Sequence, residues 1–209
     1  MSSGGEVLGL RERKRIATRR AIELAVLQLT AEHGFDRVTI NDIARVAGIS
    51  PRTFFNYCAT KDEALVGDMP TLPDEGVIEK FVAAGPHTSL IGGLGELFAA
   101  SADQIRDDRE IYLLRKAVMK DHPYLVGLKI ATLRRFEEGV RQIVERRLRH
   151  DFPKLASDVQ RIVERASLIT LVASSGLRHA WQRWVEADDP ITLSDQVRAS
   201  FRELVEVVN

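Results

Sequence analysis

Cysteine is nearly absent from this sequence: Cys58 stands alone among 209 residues. No internal disulfide can form, which fits a reducing compartment. Long apolar runs are missing too, since no stretch approaches the roughly 20 residues that cross a bilayer. The opening "MSSGGEVLGLRERKR" carries small, polar and charged residues without the apolar core of a secretory leader. The expectation is a cytoplasmic protein with no membrane partner. Net charge is also lacking, because 30 Lys and Arg balance 30 Asp and Glu. That argues against a protein that coats nucleic acid by bulk electrostatics. Ile, Val and Thr never alternate as they would in a strand. His33, His87, His122, His150 and His179 are scattered without metal-ligand spacing, and there is no nucleophile elbow. The glycines of "IGGLGE" at 91–96 follow no strand, so they make no phosphate loop. An enzyme, a cofactor and a metal are therefore not expected.

What is present is ordinary helical material, 44% hydrophobic and 29% charged, in a chain long enough to bury a core without staples. Apolar residues recur every three or four positions, which predicts an all-α protein. The first helix is expected over 10–33, with Ala17, Ala21, Leu24, Ala25 and Leu29 inward, a left-handed cap at Gly34 and Phe35 folding back. Thr39 and Asp42 write a capping box for a second helix of about two turns, ended by Gly48. Ser50 as N-cap and Pro51 in the first turn start a third helix, which stops near Cys58. Thr60 and Glu63 write another capping box for "KDEALV". Charge is uneven along the chain: residues 1–66 carry ten cations against eight anions, mostly in "RERKRIATRR" at 11–20. Such a block serves either as a nucleic-acid contact or as a solvated helix start.

Two short helices joined by a glycine turn, the second opened by Ser-Pro, follow the helix-turn-helix pattern. A plain αα-hairpin meets the same spacing, so the third helix must carry the distinction. A recognition helix needs base-edge donors, a thymine-methyl contact and phosphate anchors within two turns. Arg52 suits guanine O6 and N7, Pro51 and Thr53 suit methyl groups, and Asn56 suits a base or a phosphate. Ser50, Tyr57 and Lys61 suit phosphate oxygens, Lys61 from the start of the next helix. Phe54 is expected inward, with Phe55 and Tyr57 facing the DNA backbone. Arg11, Arg13, Lys14 and Arg19 are further backbone or minor-groove candidates.

Residues 11–65, from "RERKRIATRR" through "TINDIARVAGISPRTFFNYCATKDEAL", resemble the DNA-binding domain of TetR-family transcriptional regulators. Gly34-Phe35, Thr39, Ile43-Ala44, Ala47-Gly48, Ser50, the aromatic pair, Lys61 and Leu65 carry the resemblance, and Cys58-Ala59 departs from it. It implies a DNA-binding domain over 1–66, with contacts from Thr39, Ser50, Pro51, Arg52, Thr53, Phe55, Asn56, Tyr57 and Lys61. It also implies an effector-binding and dimerisation domain over 67–209.

"GDMPTLPDEG" at 67–76 marks the boundary. Beyond it, helices are expected near 77–84, 89–105, 109–120, 123–150, 154–186 and 194–208, forming a bundle. An apolar pocket between bundle helices would draw on Leu94, Leu97, Phe98, Leu114, Met119, Phe136, Val172, Ser175, His179 and Trp184. For any one of these residues, plain core packing is the better reading. Stripes at Ile162, Ala166, Ile169 and Ala173 and at Val197, Phe201, Leu204, Val205 and Val208 suit a dimer interface or an intrachain core.

The resemblance implies a homodimeric, ligand-responsive repressor of a palindromic operator in double-stranded DNA. The loop "GDMPTLPDEGVIEKFVAAGP" is similar to that of mycofactocin-associated actinobacterial regulators, which implies a small, largely apolar, acyl-CoA-like effector. Two alternatives stay open at this point. One is a small-molecule-binding bundle with a vestigial DNA-binding head, and the other is an activator or ligand-independent DNA-binding protein.

Overall fold

The computed structural model describes residues 9–67, 70–105, 108–120, 122–155, 157–187 and 189–208. Among them the regular structure is entirely helical. In chain order the helices are α1 (Leu10–His33), α2 (Ile40–Val46), α3 (Pro51–Phe55), α4 (Lys61–Val66) and α5 (Glu75–Ala83). They are followed by α6 (Leu90–Ala102), α7 (Arg109–Lys120), α8 (Pro123–Asp151), α9 (Val159–Glu186) and α10 (Leu193–Val208). Short 3-10 turns cover Phe35–Arg37 and Pro153–Leu155. The second of these, with Asp158 as the N-cap, starts α9 later than the expected residue 154.

The chain forms two compact units, but a single cut at residue 66 does not separate them. The first unit takes the chain up to Gly67 together with Asp108–Lys129, and the second takes Asp68–Asp107 with Ile130–Asn209. Ile111, Val118, Met119 and Leu125 are the reason, since they share one buried apolar cluster with Ile22, Leu27, Ile43, Phe54 and Leu65. Periodicity marks the apolar face of α7 but cannot say which partner covers it.

In the first unit, α1 buries Ile22, Ala25, Val26 and Leu29, an i, i+3, i+4, i+7 stripe broadened by Leu27. Ala17 is exposed, contrary to expectation, so the buried face begins one turn later. Gly34 ends the helix at φ 78° and ψ 145°, donating its N–H to Thr30 O at 2.9 Å. The positive φ is glycine's, as expected, although ψ is extended rather than helical. Phe35 folds back into the core.

The second unit is built around Phe201 of α10. An added Cβ on Gly95 of α6 would lie 2.6 Å from Phe201 Cβ, and one on Gly176 of α9 would lie 3.2 Å from the ring. Phe201 also meets Phe98 edge-on at 5.6 Å, and Phe98 packs on Phe136 at the same distance. The glycines of "IGGLGE" thus serve close helix packing. Arg147 of α8 is the buried cation among the described residues of this unit. It pairs with Asp151 and donates to Phe81 O and Gly85 O, and to Thr88 Oγ1 at 2.7 Å.

Candidate nucleic-acid interface

The turn between α2 and α3 is fixed entirely by local chemistry. Thr39 Oγ1 accepts the Asp42 N–H at 3.2 Å, and Asp42 Oδ2 accepts the Thr39 N–H at 3.3 Å, completing the capping box. The Thr39 hydroxyl, then its N–H and Arg45, hold the Asp42 carboxyl below the usual carboxylate range. At the other end of α2, the Ile49 N–H donates to Ala44 O at 2.9 Å and the Gly48 N–H to Arg45 O at 3.3 Å. Gly48 has φ 68°. This pair of bonds around a positive-φ glycine is a Schellman closure.

Helix α3 then begins at once. Ser50 Oγ accepts the Thr53 N–H at 3.0 Å and lies 2.8 Å from Thr53 Oγ1, while Pro51 sits where no donor is needed. Phe54 is fully buried, which contributes about 1.5–3 kcal/mol. It anchors the helix and turns its neighbours outward. Phe55 is 56% exposed and meets Phe54 edge-on. Pro51, Arg52 and Asn56 are exposed, and Thr53 is half-buried behind its cap bond. Among the described residues nothing pairs with Arg52.

Besides Ser50 and Thr53, whose hydroxyls meet each other, Thr39, Tyr57 and Lys61 are engaged within the domain. Thr39 spends its hydroxyl on the capping box, donating to Asp42 Oδ2 at 2.5 Å. Tyr57 is half-buried and packs against the core cluster rather than standing free. Lys61 turns inward, because its ammonium donates to Phe35 O at 2.9 Å and Val38 O at 3.1 Å and lies 4.3 Å above the Phe35 ring. Two carbonyls at a tight turn need donors, and Lys61 is the residue within reach. The cap beside it is also shifted: Glu63 Oε2 accepts from Ala59 N at 2.7 Å, not from Thr60 N. Arg19, expected as a DNA anchor, is likewise internal, donating to Glu23 at 3.0 Å and Tyr57 O at 2.6 Å. Arg11, Arg13 and Lys14 remain exposed on α1. One exposed cation was missed: Arg45 on α2, 3.4 Å from Asp42. Its signal was a basic residue in the last turn of the helix before the glycine.

The other two candidate sets fall out differently from their sequence pattern. Leu94, Leu97, Phe98, Phe136 and Trp184 are buried, and Trp184 Nε1 donates to Ile191 O at 3.1 Å. Val172 is half-buried. Leu114, with Met119, packs on the core of the first unit instead. Ser175 and His179 are exposed; Ser175 Oγ donates to Leu171 O at 3.1 Å and His179 Nδ1 lies 3.1 Å from Ser200 Oγ. Of the expected dimer stripes, Ile162, Ala166, Ala173, Val197 and Phe201 are buried within the chain, while Ile169, Leu204 and Val205 are half-buried. The Val208 side chain lies outside the described residues. The buried members of these stripes belong to the intrachain core, where Gly176 of α9 admits the Phe201 ring. The outward face of α9 carries Leu168 and Leu171, 65% and 58% exposed.

Residues 25–66 match the sequence model of the family described as bacterial regulatory proteins, tetR family. Over 59 residues the chain is 44% identical to MftR of Mycobacterium tuberculosis, named as a mycofactocin biosynthesis transcriptional regulator, a match covering 28% of this chain and 30% of that protein. Over 136 residues it is 26% identical to the HTH-type transcriptional regulator TcmR of Streptomyces glaucescens, covering 62% of this chain and 58% of that one. The chain thus spans less than two thirds of the length of either relative. Both are named as transcriptional regulators. Among solved structures, the regulator PfmR from Thermus thermophilus aligns at 20% identity and a TM-score of 0.41, over 90% of this chain and 97% of that one. Thermus thermophilus FadR, solved in complex with lauroyl-CoA, aligns at 18% identity and a TM-score of 0.40, over 90% and 93%.

Proposed function

We propose that this chain, whose residues 25–66 match the tetR-family model, is a ligand-responsive repressor that binds a palindromic operator in double-stranded DNA as a homodimer. The observation that carries this reading is the short, firmly capped α3, which holds Arg52, Phe55 and Asn56 outward over a buried Phe54. Arg52 reads guanine through its two-pronged guanidinium, and Ser50, Thr53 and Arg45 hold the phosphate backbone. A two-fold dimer presents two such helices about 34 Å apart, one turn of the duplex. Leu168 and Leu171 on α9, with Val207 on α10, are the exposed apolar residues that support self-association.

The effector is a small, largely apolar, acyl-CoA-like molecule, a class supported by the resemblance of the loop at 67–86. It binds the DNA-competent and DNA-incompetent states unequally and so lowers operator affinity. A mobility shift against the DNA flanking its own gene, at about 150 mM salt, tests the core of this reading. A discrete complex that survives competitor DNA is expected. Its absence there, and again in a binding selection from random duplexes, would leave a small-molecule-binding bundle without a DNA function.

A further inference from the structure

In the second unit, the end of α8, the 3-10 turn at Pro153–Leu155 and the start of α9 frame an open cavity of about 470 Å³. Asp151, Phe152, Pro153, Lys154, Arg161 and Arg165 line it. Three of these are cations, and no carboxylate or carbonyl among the described residues receives the heads of Lys154, Arg161 and Arg165. The acids around them are engaged elsewhere. The Asp151 carboxylate is held by buried Arg147 and lies 3.2 Å from His150 Nδ1. Asp158 Oδ1 accepts the Arg161 backbone N–H at 3.1 Å, capping α9, and Glu164 Oε1 accepts from Gln160 Nε2 at 2.8 Å. Arg161 and Arg165 stand one turn apart on the same face of α9, where like charges repel and cost stability. Phe152, the first residue past α8, is 44% exposed beside this cavity rather than packed in the core. Three uncommitted cations and an open aromatic ring thus share one concavity.

We propose that this cavity binds a nucleoside polyphosphate, with its phosphates on Arg161, Arg165 and Lys154 and its base on the ring of Phe152. A guanidinium fork matches two phosphate oxygens at once, and the ammonium adds a point charge. An aromatic ring stacks on the face of any base, which holds the nucleoside without reading it. The carboxylate of Asp151 does not oppose the phosphates, because the charge of Arg147 already balances it. The volume is that of a small-molecule site, about 300–1,000 Å³. An anion between Arg161 and Arg165 also relieves their mutual repulsion. The site does not depend on the regulator reading; only its consequence does. Leu168 follows Arg165 by three residues on α9, so bound phosphates lie beside the exposed apolar residues that support self-association.

Titration calorimetry of the full chain without DNA tests the site, with ADP, pyrophosphate and adenosine as separate probes. ADP should bind saturably, pyrophosphate about tenfold more weakly, and adenosine not measurably. Replacing both arginines, Arg161→Gln with Arg165→Gln, should weaken ADP by about tenfold or more. Phe152→Leu should bring ADP down to the affinity of pyrophosphate. All three side chains are exposed, so an unchanged Tm shows that each variant folds. No saturable ADP binding at millimolar concentration overturns the proposal, and so does binding that survives the double arginine variant. Pyrophosphate binding as tightly as ADP, or ADP binding that Phe152→Leu leaves unchanged, overturns the nucleoside class. Absent ADP binding together with a changed oligomeric state of the double variant in sedimentation would give the arginines to an interface between copies. If ADP binds as expected but no operator complex forms, the regulator reading fails alone.

Discussion

The carboxylate of Glu23 receives Arg115 at 2.9 Å across 92 residues of sequence, and its other oxygen receives Arg19 at 3.0 Å. Each arginine uses a second donor on a backbone carbonyl, Arg19 on Tyr57 O at 2.6 Å and Arg115 on Leu65 O at 2.8 Å. One buried acid thus ties α7 to the exits of α3 and α4. Arg115 also covers Gly67, where an added Cβ would fall 2.3 Å from the guanidinium carbon.

Glu23→Gln keeps the shape and removes the charge that both arginines need. Breaking a buried ion pair in this way should lower unfolding stability by about 3 kcal/mol. Urea unfolding followed by circular dichroism measures it. An unchanged midpoint would mean the network is only geometric.

Arg52→Ala should weaken operator binding by about 1–3 kcal/mol and relax base preference at one position. Arg45→Ala should weaken all sequences alike and flatten the salt dependence. Affinities on matched and mismatched duplexes separate the two roles. Equal, sequence-independent losses would remove Arg52 from base reading.

Lys61→Ala now carries a different expectation from a phosphate contact. Its ammonium satisfies Phe35 O and Val38 O, so the loss should appear in stability, by about 1–3 kcal/mol. Thermal unfolding of the variant tests this directly.

Gly95→Ala forces a methyl into Phe201 and should cost about 1–3 kcal/mol through overpacking. Adding Phe201→Leu should recover part of that loss. A double-mutant cycle by chemical denaturation reads the coupling.

Asp42 titrates below the ordinary carboxylate range in the folded chain. Its contribution is therefore present above the unfolded carboxylate value, about 3.9, and is lost as pH falls through the lower folded value. The stability gap between the protein and Asp42→Asn should be constant near neutrality and close under acid. A pH series of melting curves follows it.

Most of the fold was legible because helix boundaries are written in local chemistry. Thr39 with Asp42, Ser50-Pro51 and Thr60 place the starts of α2, α3 and α4 at the expected residues, although α3 ends at Phe55 rather than near Cys58. The outward face of α3 was legible for the same reason, since one buried phenylalanine fixes where its neighbours point. The pocket candidates and the stripes of α9 and α10 were legible only as apolar faces. Ile162, Ala166 and Phe201 show the right spacing, but an apolar stripe records that a face is buried and not what buries it.

By itself, then, the sequence determined an all-helical chain, the caps and turn of its helix-turn-helix, and the side chains α3 offers outward. These follow from bonds between residues at most a few positions apart. Tertiary structure alone decided that Asp108–Lys129 joins the N-terminal helices and that Lys61 and Arg19 turn inward. Each depends on which distant carbonyl, carboxylate or apolar face comes within reach once the chain has packed, and sequence spacing carries no such distances.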